Sequence, residues 1–371
     1  MIYRRTSVFF LSLLCCVSST CYAFNVTFIN PGKQGEHFWD MVTDTMQAAA
    51  IDLDISLEVL YAERNRVQMR DIGIAVTERE QLPDVMLLVN EEQASDSIVK
   101  AASRKGVKVL MLLNDFLPAQ KSKLRTELGP DWGKVMLGSI TPDNFGAGAR
   151  MMEALLTCAR DIEKTAPINV LMIGGDQLTP ASIDRNEGGL SILEKRPDAI
   201  LKRLLYANWN QREATLLTNN YLKWSARNQI TPHAIWAAND PIAQGALNAL
   251  KQHNLDAGKD VCLVGLNWSS EGLAMVKNKE MVHTDGGHFL AGAWSMVLLK
   301  DIFTQAILPE IPININFEMQ AINSQNLEQY QTTFGHAAWG KINFRKFLLH
   351  NKKSMANYNF SMDALFTSVK K

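Results

Sequence analysis

Short apolar runs alternate with amphipathic stretches along most of this chain. Residues 26–30 (VTFIN) form the first run and end in a polar loop at Pro31–Glu36; from His37 the period becomes helical through WDMVTDTMQAAAIDL. Ser56–Tyr61 (SLEVLY) alternates as a second strand and precedes a helix over about 66–81. Pro83–Asn90 (PDVMLLVN) and Val107–Leu113 (VKVLMLL) are near-continuous apolar strands, separated by a helix over 92–105 that Gly106 closes. Strands that are apolar on both faces, joined by short connections to helices, predict a parallel sheet covered on both sides.

The pattern then restarts. Lys134–Ser139 is a strand and Asp143 onward is a helix, with Asp143 or Asn144 near its cap. Strands follow at Ile168–Gly174, Lys202–Ala207, Ala234–Ala238 and Val261–Leu266, alternating with helices to about residue 195 and over 211–226, 241–252 and 269–277. Residues 142–285 therefore hold a second complete α/β unit.

Strand ends in both units are polar: Asn30, Asn90, Asn114–Asp115, Asn239–Asp240 and Asn267. Ligands of parallel α/β units sit beyond these ends. Asn and Asp also cap and turn chains there, so each position alone has a structural reading.

Composition narrows the class. The chain has 371 residues, 47% hydrophobic and 20% charged, with 38 Lys+Arg against 38 Asp+Glu. That length gives room for two ordinary domains, and the apolar content excludes a mostly disordered chain. Zero net charge argues against a nucleic-acid partner held by a strong positive field. Arg4 and Arg5, the apolar run Val8–Val17 and the small-residue end SSTCYA before Phe24 have the pattern of a cleaved export signal over residues 1–23. Its removal near Ala23 leaves 36 basic against 38 acidic residues, and Cys158 and Cys262 of the five cysteines. A disulfide-dense scaffold is excluded; whether these two form one bridge stays open.

HAIWAANDPIAQGALNAL (233–250), followed at its spacing by VCLVGLNWSSEGLAMVKNKEMVHTDGGHFLAGAWSMVLL (261–299), resembles the second lobe and return crossover of type I periplasmic substrate-binding proteins, the ribose/galactose-binding and autoinducer-receptor kind. LGSITPDNFGAGARMMEALL (137–156) and GGDQLTPASIDRNEGGL (174–190) resemble the first crossover and the loop and helix that bring in an arginine. The resemblance covers about 26 to 315 and implies an α/β fold of two Rossmann-like parallel-sheet lobes joined by a three-segment hinge. Its lobes would be 24–141 plus 286–314 and 142–285, with 315–371 as hinge return and C-terminal extension packed on them.

The resemblance also implies a cleft. Glu36 stands at a polar contact position, and His37, Phe38 and Trp39 stand where the family stacks aromatics on a sugar ring. Asn114 and Asp115 match the end of the fourth strand of lobe I, with Phe116 in place of a following arginine. Arg185, Asn239 and Asn267 match second-lobe ligand contacts, although relatives often have Asp at the last; His288, or Gly287, falls near a family glutamine, and Trp209 is a further aromatic wall. Asp115 and Arg185 are expected to face one another across the cleft. Aromatic planes with Asn, Asp and Arg forks suit the apolar faces and hydroxyl rim of a small polar ring. Phe38 and Trp39 have an alternative reading as core, Arg185 as a solvated helix residue, and Asp240 as a cap.

His283, Asp285 and His288 lie close in sequence but form no closed ligand set, so no metal is expected, and nothing calls for a cofactor. No phosphate loop, dinucleotide fingerprint or nucleophile elbow is present, which disfavours an enzyme. The expectation is a monomeric periplasmic receptor for a sugar or related ring, delivering it to an ABC-type membrane permease, or a sensor whose closed form a membrane histidine kinase reads.

Overall fold

The computed structural model describes residues 24–304, 312–335, 337–349 and 358–370; residues 1–23, expected to be an export signal, lie outside the described residues. In the N-terminal half, β1 (Asn25–Asn30), α1 (His37–Asp52), β2 (Ser56–Tyr61), α2 (Arg66–Thr77), β3 (Val85–Leu88), α3 (Asp96–Lys105) and β4 (Lys108–Leu112) follow in alternation. Next come α4 (Pro118–Leu128), α5 (Trp132–Val135) and β5 (Met136–Pro142). The central region contains α6 (Asn144–Ile162), β6 (Ile168–Gly174), α7 (Pro180–Leu193), β7 (Ala199–Tyr206), α8 (Gln211–Arg227), β8 (Ala234–Ala237), α9 (Asp240–Gln252) and β9 (Cys262–Leu266). It continues through α10 (Ser270–Lys277), β10 (His283–Gly286), α11 (Ala291–Phe303), β11 (Ile313–Phe317), β12 (Gln320–Asn323), α12 (Leu327–Phe334) and α13 (Met362–Thr367).

These strands form two six-stranded sheets, ordered β11-β5-β4-β3-β1-β2 and β12-β10-β9-β8-β6-β7. Every pairing is parallel except β10 with β12. Strands such as β3 and β9 are buried along their whole length, as their apolar runs require. Among the described residues the chain passes between the sheets after Pro142, at Gly286–Gly287, and across Glu318–Met319. Gly287 needs its left-handed backbone (φ 89°), and a β-carbon there would lie 2.9 Å from the Trp268 ring.

Local chemistry sets the element ends. Asn65, Asp143, Asn210 and Asn239 each cap a helix with a side-chain oxygen accepting from backbone N–H, and Gly106 ends α3 in the left-handed conformation. The stretch expected as helix 92–105 begins instead with a 3₁₀ turn at Glu91–Gln93 and becomes α-helical only at Asp96, because Glu92 and Gln93 take positive φ. The helix expected to reach residue 81 stops at Thr77.

Cys158 on α6 and Cys262 on β9 are joined by a disulfide, with Cα atoms 6.1 Å apart. This answers the question left open by the sequence. Beside the second crossing, Asp285 is fully buried and accepts from Arg150 Nε at 2.7 Å and Nη2 at 3.0 Å; the same guanidinium donates to the Met319 carbonyl at the third crossing. One ion pair thus ties two crossing strands to α6.

Beyond β12 the chain packs aromatic side chains on both lobes. Tyr330 meets Trp268 edge-on at 5.3 Å, Trp339 lies 5.3 Å from Phe289, and Phe360 stacks on Trp294 of α11 at 4.5 Å. Buried Asp301 accepts from the Leu349 N–H and the Tyr358 hydroxyl.

Candidate functional site

A cavity of about 270 Å³ lies between the C-terminal strand ends of the two sheets. Glu36, His37, Phe38 and Trp39 reach it from the start of α1, because the loop after β1 delivers the chain there. Asn114 enters from the end of β4, Arg185 from the buried side of α7, Asn239 from the cap of α9, and Asn267 from the end of β9. His288 arrives just after the second crossing and Trp209 from the loop before α8. The structure therefore brings together ten of the eleven residues expected from the sequence.

Asp115 is the exception. Its carboxylate accepts from Lys121 Nζ at 2.7 Å on α4 and from the Phe116 N–H at 2.7 Å, and it does not line the cavity. The expected Asp115–Arg185 opposition is therefore corrected. The residue before it reaches across instead: Asn114 Oδ1 accepts from the Ala181 N–H of α7 at 3.0 Å. The cause is local. Leu113 takes φ 64°, a costly conformation for its side chain, and this turn rotates Asn114 into the cleft while Asp115 points to α4.

Arg185 is 3% exposed; its Nε donates to Asn144 Oδ1 at 2.8 Å and its Nη1 to the Ala238 carbonyl at 3.0 Å. Both partners are neutral. Burial pulls the guanidinium down to about 10, against the more distant attraction of Asp285, Asp184 and Asp240. It remains cationic at neutral pH and accounts for the solvated-helix alternative being wrong. Opposite in character, His288 is held well below its ordinary value by burial and by the Arg185 charge, so its ring is neutral. His288 stacks on Phe38 at 4.5 Å with 18° between planes, and its Nδ1 has no hydrogen-bond partner.

Two other residues of the lining each carry a buried polar atom without a hydrogen-bond partner: Trp39 at Nε1 and Thr179 at Oγ1. Trp209 is fixed by its Nε1 donating to Asp176 Oδ2 at 2.6 Å, and its ring lies 5.6 Å from the Arg185 guanidinium. Phe38 lines the cavity while half-buried, whereas Trp39 is 3% exposed and serves both core and cavity wall.

Asp240 supports the site rather than offering a free carboxylate. It accepts from the Ser269 N–H and hydroxyl and from the Thr284 hydroxyl, and so holds the turn that carries Asn267. Burial pushes it up to about 6 although these donors oppose the shift. Asn267 itself has φ 153° and Trp268 φ 57°, a strained pair beside the cavity. Asn30 and Asn90, flagged with the other strand ends, make only structural bonds: to Gly32 and Thr43, and to Asp115, Gln120 and Ser95.

The sequence reading missed Arg64 and Glu91, which line the same cavity. Each follows a strand of the first sheet by three residues, Tyr61 of β2 and Leu88 of β3, so the strand-end rule reached their loops without selecting them. Thr179, Gln211 and Gln244 were missed because nothing in their spacing distinguishes them from surface helix starts. Among the described residues no group of three or more His, Cys, Asp and Glu is placed to hold a metal ion.

A family model for the periplasmic binding protein domain matches residues 26–302. The chain belongs to that family. A periplasmic sugar-binding protein from Pseudomonas fluorescens is similar at 27% identity with a TM-score of 0.81, over 92% of this chain and 99% of that one. An ABC transporter periplasmic solute binding protein from Actinobacillus succinogenes with bound D-allose shares the fold at 19% identity and TM-score 0.70, covering 83% and 100% of the two chains. The Caulobacter myo-inositol binding protein does so at 22% and 0.67, covering 82% and 94%. No curated protein matches. The family and these structures are substrate-binding proteins, not enzymes. The two-lobed type I fold is theirs as well.

Proposed function

We propose that this member of the periplasmic binding protein family is a receptor for one small, neutral, hydroxylated ring, which it delivers to a membrane permease. The observation that carries this reading is the cavity's lining: a buried guanidinium bonded to neutral acceptors, five amide side chains (Asn114, Gln211, Asn239, Gln244 and Asn267), and flat apolar faces from Phe38, Trp39 and Trp209. Rings with hydroxyl rims use both kinds of surface at once. D-allose and myo-inositol, the ligands named for two similar structures, are of that chemistry.

The lobes 24–141 plus 286–314 and 142–285 would move as bodies about the three crossings, closing on the ligand. A periplasmic site accords with the export pattern and with the disulfide, which persists in oxidising compartments. The mature chain would begin at Phe24 and act as a monomer.

The test is a thermal-shift screen of the mature protein with neutral sugars, cyclitols, nucleosides, amino acids, polyamines and sugar phosphates. Binding to the folded state alone raises apparent stability by mass action. A stabilisation confined to neutral hydroxylated rings supports the reading. A shift with polyamines or phosphates and none with neutral rings refutes it.

A further inference from the structure

Next to the ligand cavity lies a second, outer one of about 570 Å³. Glu36, Arg64, Glu91 and Trp209 line both, so the two cavities adjoin at these four residues. The centre of that junction is the Arg64 guanidinium. Its Nε donates to both Glu36 carboxylate oxygens at 3.1 and 3.0 Å, its Nη2 also donates to Glu36, and its Nη1 donates to Glu91 Oε1 at 2.8 Å. It also sits 5.5 Å from the Trp39 ring centroid.

The backbone beneath this side chain is equally fixed. Glu63 and Arg64 take consecutive left-handed conformations, φ 55° and 58°, and their N–H groups donate to the Gly32 and Pro31 carbonyls of the neighbouring loop. Two non-glycine residues in that region are costly, and the tight tie to the Pro31 loop maintains them. The result is a rigid turn that holds one planar cation between two carboxylates. Across the cleft mouth, Trp209 and its partner Asp176 complete the boundary from the other lobe.

We infer that Arg64 is a specificity-determining partition: held by Glu36 and Glu91, it limits the ligand to a single ring and keeps a second saccharide unit out of the outer cavity. The inference rests on the reading of the inner cavity as a site for a neutral hydroxylated ring. A ligand extended by one unit would have to pass through the plane of the guanidinium. It would break the guanidinium's bonds to Glu36 and Glu91 and offer only neutral hydroxyl donors in their place, and that loss disfavours the longer ligand. With the side chain removed, the two cavities join and the outer one, lined by polar groups, accepts the second unit.

The experiment compares calorimetric affinities of the mature protein and the Arg64→Ala and Arg64→Gly variants for a panel of neutral monosaccharides and disaccharides. Arg64→Gly is included because glycine adopts the left-handed backbone without strain, so the side chain is removed with no added backbone cost. The native protein is expected to prefer single rings over the corresponding disaccharides by at least about 100-fold, and the variants by less than about 10-fold. Disaccharides bound by the native protein as well as single rings overturn the inference, as does a preference that survives in both variants. If none of the three proteins binds any saccharide, the single-ring reading itself falls and the partition falls with it.

Discussion

Asn114 Oδ1 at the end of β4 accepts a hydrogen bond from the Ala181 N–H at the start of α7, 3.0 Å away across the cleft. One lobe supplies the acceptor, the other the donor, and both residues line the cavity. Gln93 Nε2 adds a second link to the Leu178 carbonyl at 3.2 Å, but in an exposed position. The buried bond is the one that favours a closed cleft, since in the open state water replaces both partners. Asn114→Ala is expected to weaken ligand binding by about 5- to 15-fold, the equivalent of one net hydrogen bond of ~1–1.5 kcal/mol, while unfolding of the free protein changes little. Titration calorimetry paired with denaturant unfolding separates the two effects, and an equal loss in both would show that the bond serves the fold instead.

Arg185 is expected to matter more for binding than for folding. In the free protein its burial is costly and its two partners are neutral acceptors. Arg185→Ala removes a charged donor pair from the ligand, for an expected affinity loss of about 2–4 kcal/mol. The same titrations decide it; near-native affinity would remove Arg185 from the site.

Glu91 predicts a pH dependence. Burial pushes its carboxyl up from 4.5 to about 7, with Asp176, Glu92 and Glu36 adding to the rise and Arg64 opposing it. The folded chain therefore holds this proton more tightly than the unfolded chain does. The residue's contribution to stability is greatest below about 4.5 and is lost as pH rises through about 7. Stability curves of the native protein and Glu91→Gln should diverge across that window by roughly 1–3 kcal/mol, measured by denaturant unfolding at a series of pH values. Parallel curves would contradict it.

The Cys158–Cys262 bridge closes a separation of 104 residues within the second lobe. Its removal by Cys158→Ser with Cys262→Ser is expected to cost about 2–4 kcal/mol of unfolding free energy by loosening the constraint on the unfolded chain. Chemical denaturation of the paired variants checks this. The affinity for ligand should stay within a few-fold, because neither cysteine lines the cavity.

Trp339 probes the C-terminal region. Its ring is 4% exposed and lies against Phe289 and Phe334 at 5.3 and 5.5 Å. Trp339→Ala should destabilise the protein by about 3–5 kcal/mol through the cavity it leaves. A loss under ~1 kcal/mol would mean that the extension collapses readily onto the lobes or contributes little to them.

The sequence by itself determined the alternation of strands and helices, since buried strands and amphipathic helices announce themselves by local side-chain period. Ser56–Tyr61 and Ile168–Gly174 were legible to the residue for that reason. It also pointed to three loops that line the cavity, because Asn114, Asn239 and Asn267 follow strands of parallel sheets. Only the tertiary structure decided which of two adjacent polar residues faces the cleft. The positive φ of Leu113 turns Asn114 inward and gives Asp115 to Lys121, and no residue type there forecasts it. Arg64, Glu36 and Glu91 come from three separate loops, and Cys158 and Cys262 lie far apart in sequence; each grouping exists because parallel crossovers bring distant strand ends and helices side by side. Local period fixes what each segment becomes, whereas contact between segments depends on sheet order and packing, which no short stretch encodes.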